Sequence, residues 1–146
     1  AVSRDPAKAI EYFRQAAEQG DKLGQMNLGA AFARGLGVDK DMEKAFSWFK
    51  NSAQAGYAPA QYNLAYFLEK GLGQDKNSKE ALKWYRKAAQ NGDVSAMKKL
   101  ADIYRKGKLG IPESPEKAAH YEAKARQTQQ RHKTLQPQTL PPQRDD

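Results

Sequence analysis

From Ala9 the apolar and small residues recur at i, i+3, i+4, i+7 and i+8: Ala9, Tyr12, Phe13, Ala16 and Ala17. The same spacing returns as Ala45, Trp48, Phe49, Ser52 and Ala53, then as Ala81, Trp84, Tyr85, Ala88 and Ala89, and opens a fourth time at Ala118 and Tyr121. An apolar stripe of this period is one face of an α-helix, so each of these segments predicts an amphipathic helix. Gly20, Gly56 and Gly92 follow, where the helix stops and the chain turns. A second stripe then appears in each copy: Gly24, Leu28, Phe32; Ala60, Leu64, Leu68; Ala96, Leu100, Tyr104. The small residue leading each set lets two helices approach closely, which marks the contact within a hairpin. Gly35, Gly71 and Gly107 end these second helices. Asp5-Pro6, Asp41, Asn77 and Ser114-Pro115 supply capping chemistry for the next ones.

The period is 36 residues twice and 37 the third time, the extra residue lying between Gly107 and Gly110. A two-helix unit repeated in tandem cannot bury its apolar face alone, so successive units must stack. The prediction is an all-α fold, a solenoid of antiparallel helix hairpins with about three and a half repeats. Residues 1–7 read as the end of a preceding repeat loop, because Val2, Asp5 and Lys8 match Val38, Asp41 and Lys44 at the same offset. Repeats follow at 8–43, 44–79 and 80–116, then a C-terminal capping helix at 117–133. The Pro- and Gln-rich stretch 134–146 lacks residues to bury and is expected to be a flexible tail.

These residues resemble the Sel-one-like repeat family, relatives of the tetratricopeptide repeat. The second unit carries the pattern most fully, with Ala45, Trp48, Phe49, Ala53, Gly56, Ala60, Asn63, Leu64, Gly71 and Gly73. Lys99 in place of Asn, Gln74 in place of Val and the displaced Gly110 depart from it, which leaves the shape of the third loop open. The resemblance implies a right-handed superhelix that acts as a scaffold or adaptor for other proteins. Bacterial members are frequently exported, and some inhibit or regulate enzymes, as in toxin-immunity or envelope-regulator roles. A periplasmic or otherwise exported setting is therefore expected, with the cytoplasm as the alternative.

Charge narrows the partner rather than the fold. Lys and Arg outnumber Asp and Glu by 25 to 17, a net charge of +8, which favours acidic or mixed-charge surfaces. Nucleic acid or acidic glycan is the alternative ligand class, but the basic residues alternate with Glu and Asp, and no basic run is long. Cysteine is absent, which removes disulfides, thiolate metal sites and cysteine nucleophiles. No apolar run approaches the ~20 residues of a membrane span.

Candidate chemistry dissolves into the repeat. Ser47-x-x-Lys50 and Ser95-x-x-Lys98 have the spacing of penicillin-interacting serine enzymes, but neither is accompanied by the partner motifs, and both occupy repeat columns. The Gly-Leu-Gly loops at 35–37 and 71–73 lack the strand and the Gly-Lys-Ser/Thr of a phosphate cradle. His120 and His132 stand apart without companion ligands. No catalytic residue, cofactor or metal site is expected.

A partner would meet the columns that differ between copies. On the first helices, the positions turned away from the core read Glu11/Gln15/Glu18, then Ser47/Asn51/Gln54, then Lys83/Lys87/Gln90, an acidic-to-basic progression with Lys50 and Arg86 at its edge. On the second helices, Tyr62 and Tyr66 are one turn apart and flanked by Lys70 and Lys98, and the register leaves them outside, with packing of Tyr66 over the next hairpin as the rival reading. The expected partner-binding set is Tyr62, Tyr66, Lys50, Asn51, Lys83, Arg86, Lys87 and Lys98. The expected partner is another protein with an acidic or mixed-charge surface, an enzyme that the chain restrains being one case.

Overall fold

A computed structural model describes residues 5–135, and these form seven α-helices with no strand among them. The helices are α1 (Pro6–Glu18), α2 (Lys22–Arg34), α3 (Met42–Gln54), α4 (Ala58–Lys70), α5 (Ser78–Gln90), α6 (Val94–Lys106) and α7 (Pro115–Leu135). They make three hairpins, α1–α2, α3–α4 and α5–α6, with α7 as the first helix of a fourth unit. Each hairpin closes on itself, and its second helix packs even more extensively against the first helix of the next: α2 on α3, α4 on α5, α6 on α7. We call these three seams joints 1, 2 and 3. Residues 1–4 and 136–146, including most of the expected tail, lie outside the described residues.

Local chemistry fixes the helix ends. Asp5, Asp41 and Asn77 are extended residues whose side chains accept from the backbone N–H groups of Ala7, Lys44 and Glu80. Ser114 does the same for Lys117 at the start of α7. Such a cap is worth about 1 kcal/mol. The second helices carry caps that the sequence reading did not single out: Asp21 accepts from Gly24 and Asp93 from Ala96. In the middle hairpin Tyr57 stands there without a side-chain bond, and Pro59 in the first turn of α4 supplies the start instead.

The second glycine of each Gly-Leu-Gly loop has a tertiary reason. Gly37 and Gly73 hold φ values of 79° and 74°, and a Cβ would run into the Pro6 carbonyl and Ile10 in one case and the Met42 carbonyl in the other. These loops fold back onto the first helix of their own unit, which leaves no room for a side chain. In the third loop the extra residue places Leu109, not a glycine, in the left-handed region at φ 57°, where its half-buried side chain packs against the core.

The leading small residues are buried as expected: Gly24, Ala60 and Ala96 allow close approach, and a Cβ on Gly24 would lie 2.7 Å from that of Ala16. Phe49 and Tyr85 are fully buried in the joints, while Trp48 and Trp84 are half-buried against the same clusters. Tyr12 departs from the expected stripe. It is 71% exposed, because the joint that covers Trp48 and Trp84 has no counterpart ahead of α1 among the described residues. The last helix continues to Leu135, two residues past the expected end. Gln129 stands where Gly20, Gly56 and Gly92 turn the chain, so nothing stops α7 there.

Candidate functional site

The outward columns of the first helices stand exposed, from Glu11, Gln15 and Glu18 through Ser47, Asn51 and Gln54 to Lys83, Lys87 and Gln90. The structure extends this row onto α7, where His120 and Gln127 are exposed and Lys124 is half-buried. Lys87 does not stand free: its Nζ lies 5.1 Å from the centre of the Trp84 ring, one turn earlier on α5. Arg86 turns into joint 3, where its Nη2 donates to the Tyr104 hydroxyl at 2.6 Å. Tyr104 in turn stacks face to face with Tyr121, with centroids 5.8 Å apart, and Lys117 lies 5.3 Å from its centroid.

At joint 2 the corresponding space is open. A cavity of about 400 Å³ lies between α3, α4 and α5. Its floor is apolar, made by Leu64 and Leu68, with Phe46 and Trp84 as walls. Its rim is polar, formed by Lys50, Gln74, Asn77 and Glu80. Lys50 thus belongs with Lys87 through their common neighbour Trp84.

The expected tyrosine pair is split. Tyr66 is exposed, at 39%. Tyr62 is not: it is half-buried, with its ring centre 5.6 Å from that of the buried Tyr85. The first-helix stripe of each unit faces the second helix of the unit before, so α5 brings Tyr85 against α4 and covers Tyr62. Burial, with the negative charges of Asp93 and Glu69 adding to it, raises the Tyr62 hydroxyl above its ordinary pKa. Burial, then Glu69, pushes that of Tyr85 further up. Lys99, the departure from the repeat's usual Asn, explains this carboxylate: its Nζ lies 3.2 Å from Glu69 Oε2, joining α6 to α4. Tyr62 therefore packs inside joint 2 against α5, and Tyr66 and Lys98 remain exposed on the second helices, apart from the row that carries Lys50, Asn51, Lys83 and Lys87.

The catalytic candidates do not assemble. Ser47 and Ser95 lie exposed on α3 and α6, and no group of three His, Asp or Glu side chains that could hold a metal occurs among the described residues. None of the described helices is long and apolar enough to cross a membrane. Sequence reasoning missed the joint-2 cavity, although its signal was present: Leu68 shares a column with the aromatic residues Phe32 and Tyr104.

Stacked hairpins with a variable exposed row on their first helices define an α-solenoid. The Sel1 repeat profile matches residues 1–21, 22–57, 58–93 and 94–126, and the chain belongs to the Sel1 repeat family. The last three of these units begin at the second helix of a hairpin, half a repeat out of phase with the 8–43, 44–79 and 80–116 division. Sel1 repeat proteins are generally protein-interaction scaffolds and typically non-catalytic. The fold is similar to a Sel1 repeat protein from Oxalobacter formigenes (36% identity, TM-score 0.81, covering 84% of this chain and 49% of that one). It is also similar to a protective antigen present in uropathogenic Escherichia coli strains (36% identity, TM-score 0.80, 86% of this chain and 27% of that one). Helicobacter pylori cysteine rich protein B shares the fold at 23% identity (TM-score 0.65, 88% and 91%). The chain thus spans about half or less of the first two. Among curated proteins no sequence matches it.

Proposed function

We propose that the chain is a non-catalytic adaptor that holds an acidic or mixed-charge segment of another protein along the exposed row of its first helices, restraining an enzyme being one use. The observation that carries this reading is the row itself. It passes from Glu11 and Glu18 on α1 to Lys83 and Lys87 on α5, on a backbone that repeats almost without change. Structural columns must recur in a solenoid, whereas contact residues are free to differ. Tyr66 and Lys98 on the second helices form a separate candidate surface. For the setting we propose the bacterial envelope or beyond, which the likeness to a protective antigen supports.

The test is a peptide-display selection on the purified chain, followed by titration of the enriched peptides. Selected sequences should be rich in Asp and Glu. Lys83→Glu combined with Lys87→Glu should weaken them at least tenfold while leaving helical circular dichroism unchanged, because electrostatic complementarity is lost without loss of core contacts. Neutral selected sequences, or affinity indifferent to the double substitution, sink the reading. The net charge of +8 motivates the polyanion alternative, which predicts instead that heparin or single-stranded DNA binds more tightly than any selected peptide, with steep salt dependence.

A further inference from the structure

Three equivalent joints allow the molecule to serve as its own control. At joint 1, Phe32 is buried and Lys44 Nζ lies 5.5 Å from its ring centre. At joint 3, Tyr104 is buried between Tyr121, Lys117 and Arg86. The residues around Tyr104 are the counterparts, one repeat on, of those that line the joint-2 cavity: Tyr121 for Trp84, Lys117 for Glu80, Arg86 for Lys50. Joint 2 therefore lacks the ring that its neighbours supply from within, because Leu68 stands in that column.

Two further substitutions keep the space open. Val38 and Ile111, which pack against the cores of joints 1 and 3, are replaced by the exposed Gln74. The lysine that closes over the ring elsewhere is replaced by Glu80. Phe46 is larger than its counterparts Ile10 and Leu82, but it lines a wall and leaves about 400 Å³ unfilled. Most of the lining that meets solvent is polar, from Lys50, Gln74, Asn77 and Glu80, with Phe46, Leu64, Leu68 and Trp84 beneath and beside it.

We propose that this cavity receives one phenylalanine-like side chain from the partner segment, taking the place that Phe32 and Tyr104 fill in the flanking joints. A ring entering from solvent reaches the floor tip-first, and there it meets Leu64 and Leu68, which are 1% and 4% exposed. An apolar tip is thus preferred to a phenol. Trp84 offers the ring an aromatic wall. The inference rests on the reading that a protein segment lies along the first helices, and it names that segment's anchor.

The probe is N-acetyl-phenylalanine amide, with N-acetyl-alanine amide as control. The readout is the indole N–H cross-peak of Trp84, one of only two tryptophans, assigned by its absence in Trp84→Phe. The phenylalanine probe should shift this peak saturably, and the alanine probe should not. Leu68→Phe, which copies joint 1, should fill the cavity and weaken the probe at least tenfold. Should that variant fail to fold, Glu80→Lys decides, since it places over the bound ring the cation that Lys44 and Lys117 place over Phe32 and Tyr104, and should tighten the probe. No saturable shift in the unmodified chain, binding that survives Leu68→Phe, or binding that Glu80→Lys leaves unchanged or weakens, overturns the proposal. The probe has no net charge, so its binding should persist in Lys83→Glu. Loss of the acidic-segment reading and loss of the pocket are then separate results.

Discussion

Gln25 and Gln61 occupy the same position in successive hairpins, yet the structure treats them differently. Gln61 is fully buried; its Nε2 donates to the Ala53 carbonyl at 3.1 Å, and its Oε1 accepts from Asn91 Nδ2 at 2.9 Å. The side chain thereby clasps joint 2 from both sides. Gln25 donates to the Ala17 carbonyl at a longer 3.4 Å, and its Oε1 finds no protein donor, because Ala55 stands where the next unit has Asn91. At the third joint the column is Met97, buried and without need of a partner. Joint 1 has a different tie: Ser52 Oγ donates to the Lys22 carbonyl at 2.6 Å, where later copies have alanine. A repeat therefore sets the backbone once, and each joint is finished by the pair of side chains that meet across it.

The strongest way to break this contrast is to remove the clasp. Gln61→Ala should cost about 2–3 kcal/mol in a denaturant titration, since it opens a fully buried site and leaves polar groups short of a partner. Gln25→Ala should cost only about 1 kcal/mol, because half of its amide is already unpaired. Equal losses would show that the two joints are equally closed. A smaller effect of opposite sign comes from transplanting the missing partner. Ala55 ends α3 with nearly the backbone that Asn91 has at the end of α5, with φ and ψ of −76° and 0° against −88° and 13°. Ala55→Asn should raise stability by about 1 kcal/mol. That gain should vanish when Gln25→Ala is also present, as a double-mutant cycle measures.

The smallest effect at neutral pH concerns Phe49 and Tyr85, which share another column. Tyr85 keeps its neutral phenol in the folded state because burial and Glu69 raise its pKa, so its contribution to stability is complete below the unfolded pKa of about 10 and declines as pH rises beyond it. Tyr62 and Tyr121, also raised by burial, act in the same direction. Tyr85→Phe should change stability by less than about 1 kcal/mol at pH 7. It should make the fall in melting temperature above pH 10 visibly shallower; an unaltered alkaline profile would remove Tyr85 from the account.

The repeat, its hairpins and their stacking were legible because helical spacing, glycine stops and capping residues act within a few residues of one another. Thus the stripe from Ala45 to Ala53 and the caps at Asp41 and Asn77 needed nothing distant to be read. Exposure across a joint was less legible. Tyr62 and Tyr66 look alike in register, and only the approach of Tyr85 from α5 separates them. Asp21 and Asp93 escaped notice as caps because Tyr57 breaks their column.

The sequence by itself determined how many helices form, where they turn and which face of each is apolar, since these depend on backbone preference and periodicity. Only the tertiary structure decided which buried amides are paired, which tyrosine is covered and which joint is left hollow. Those outcomes depend on side chains roughly 16 to 36 residues apart, and on whether the volume one contributes is the volume the other leaves.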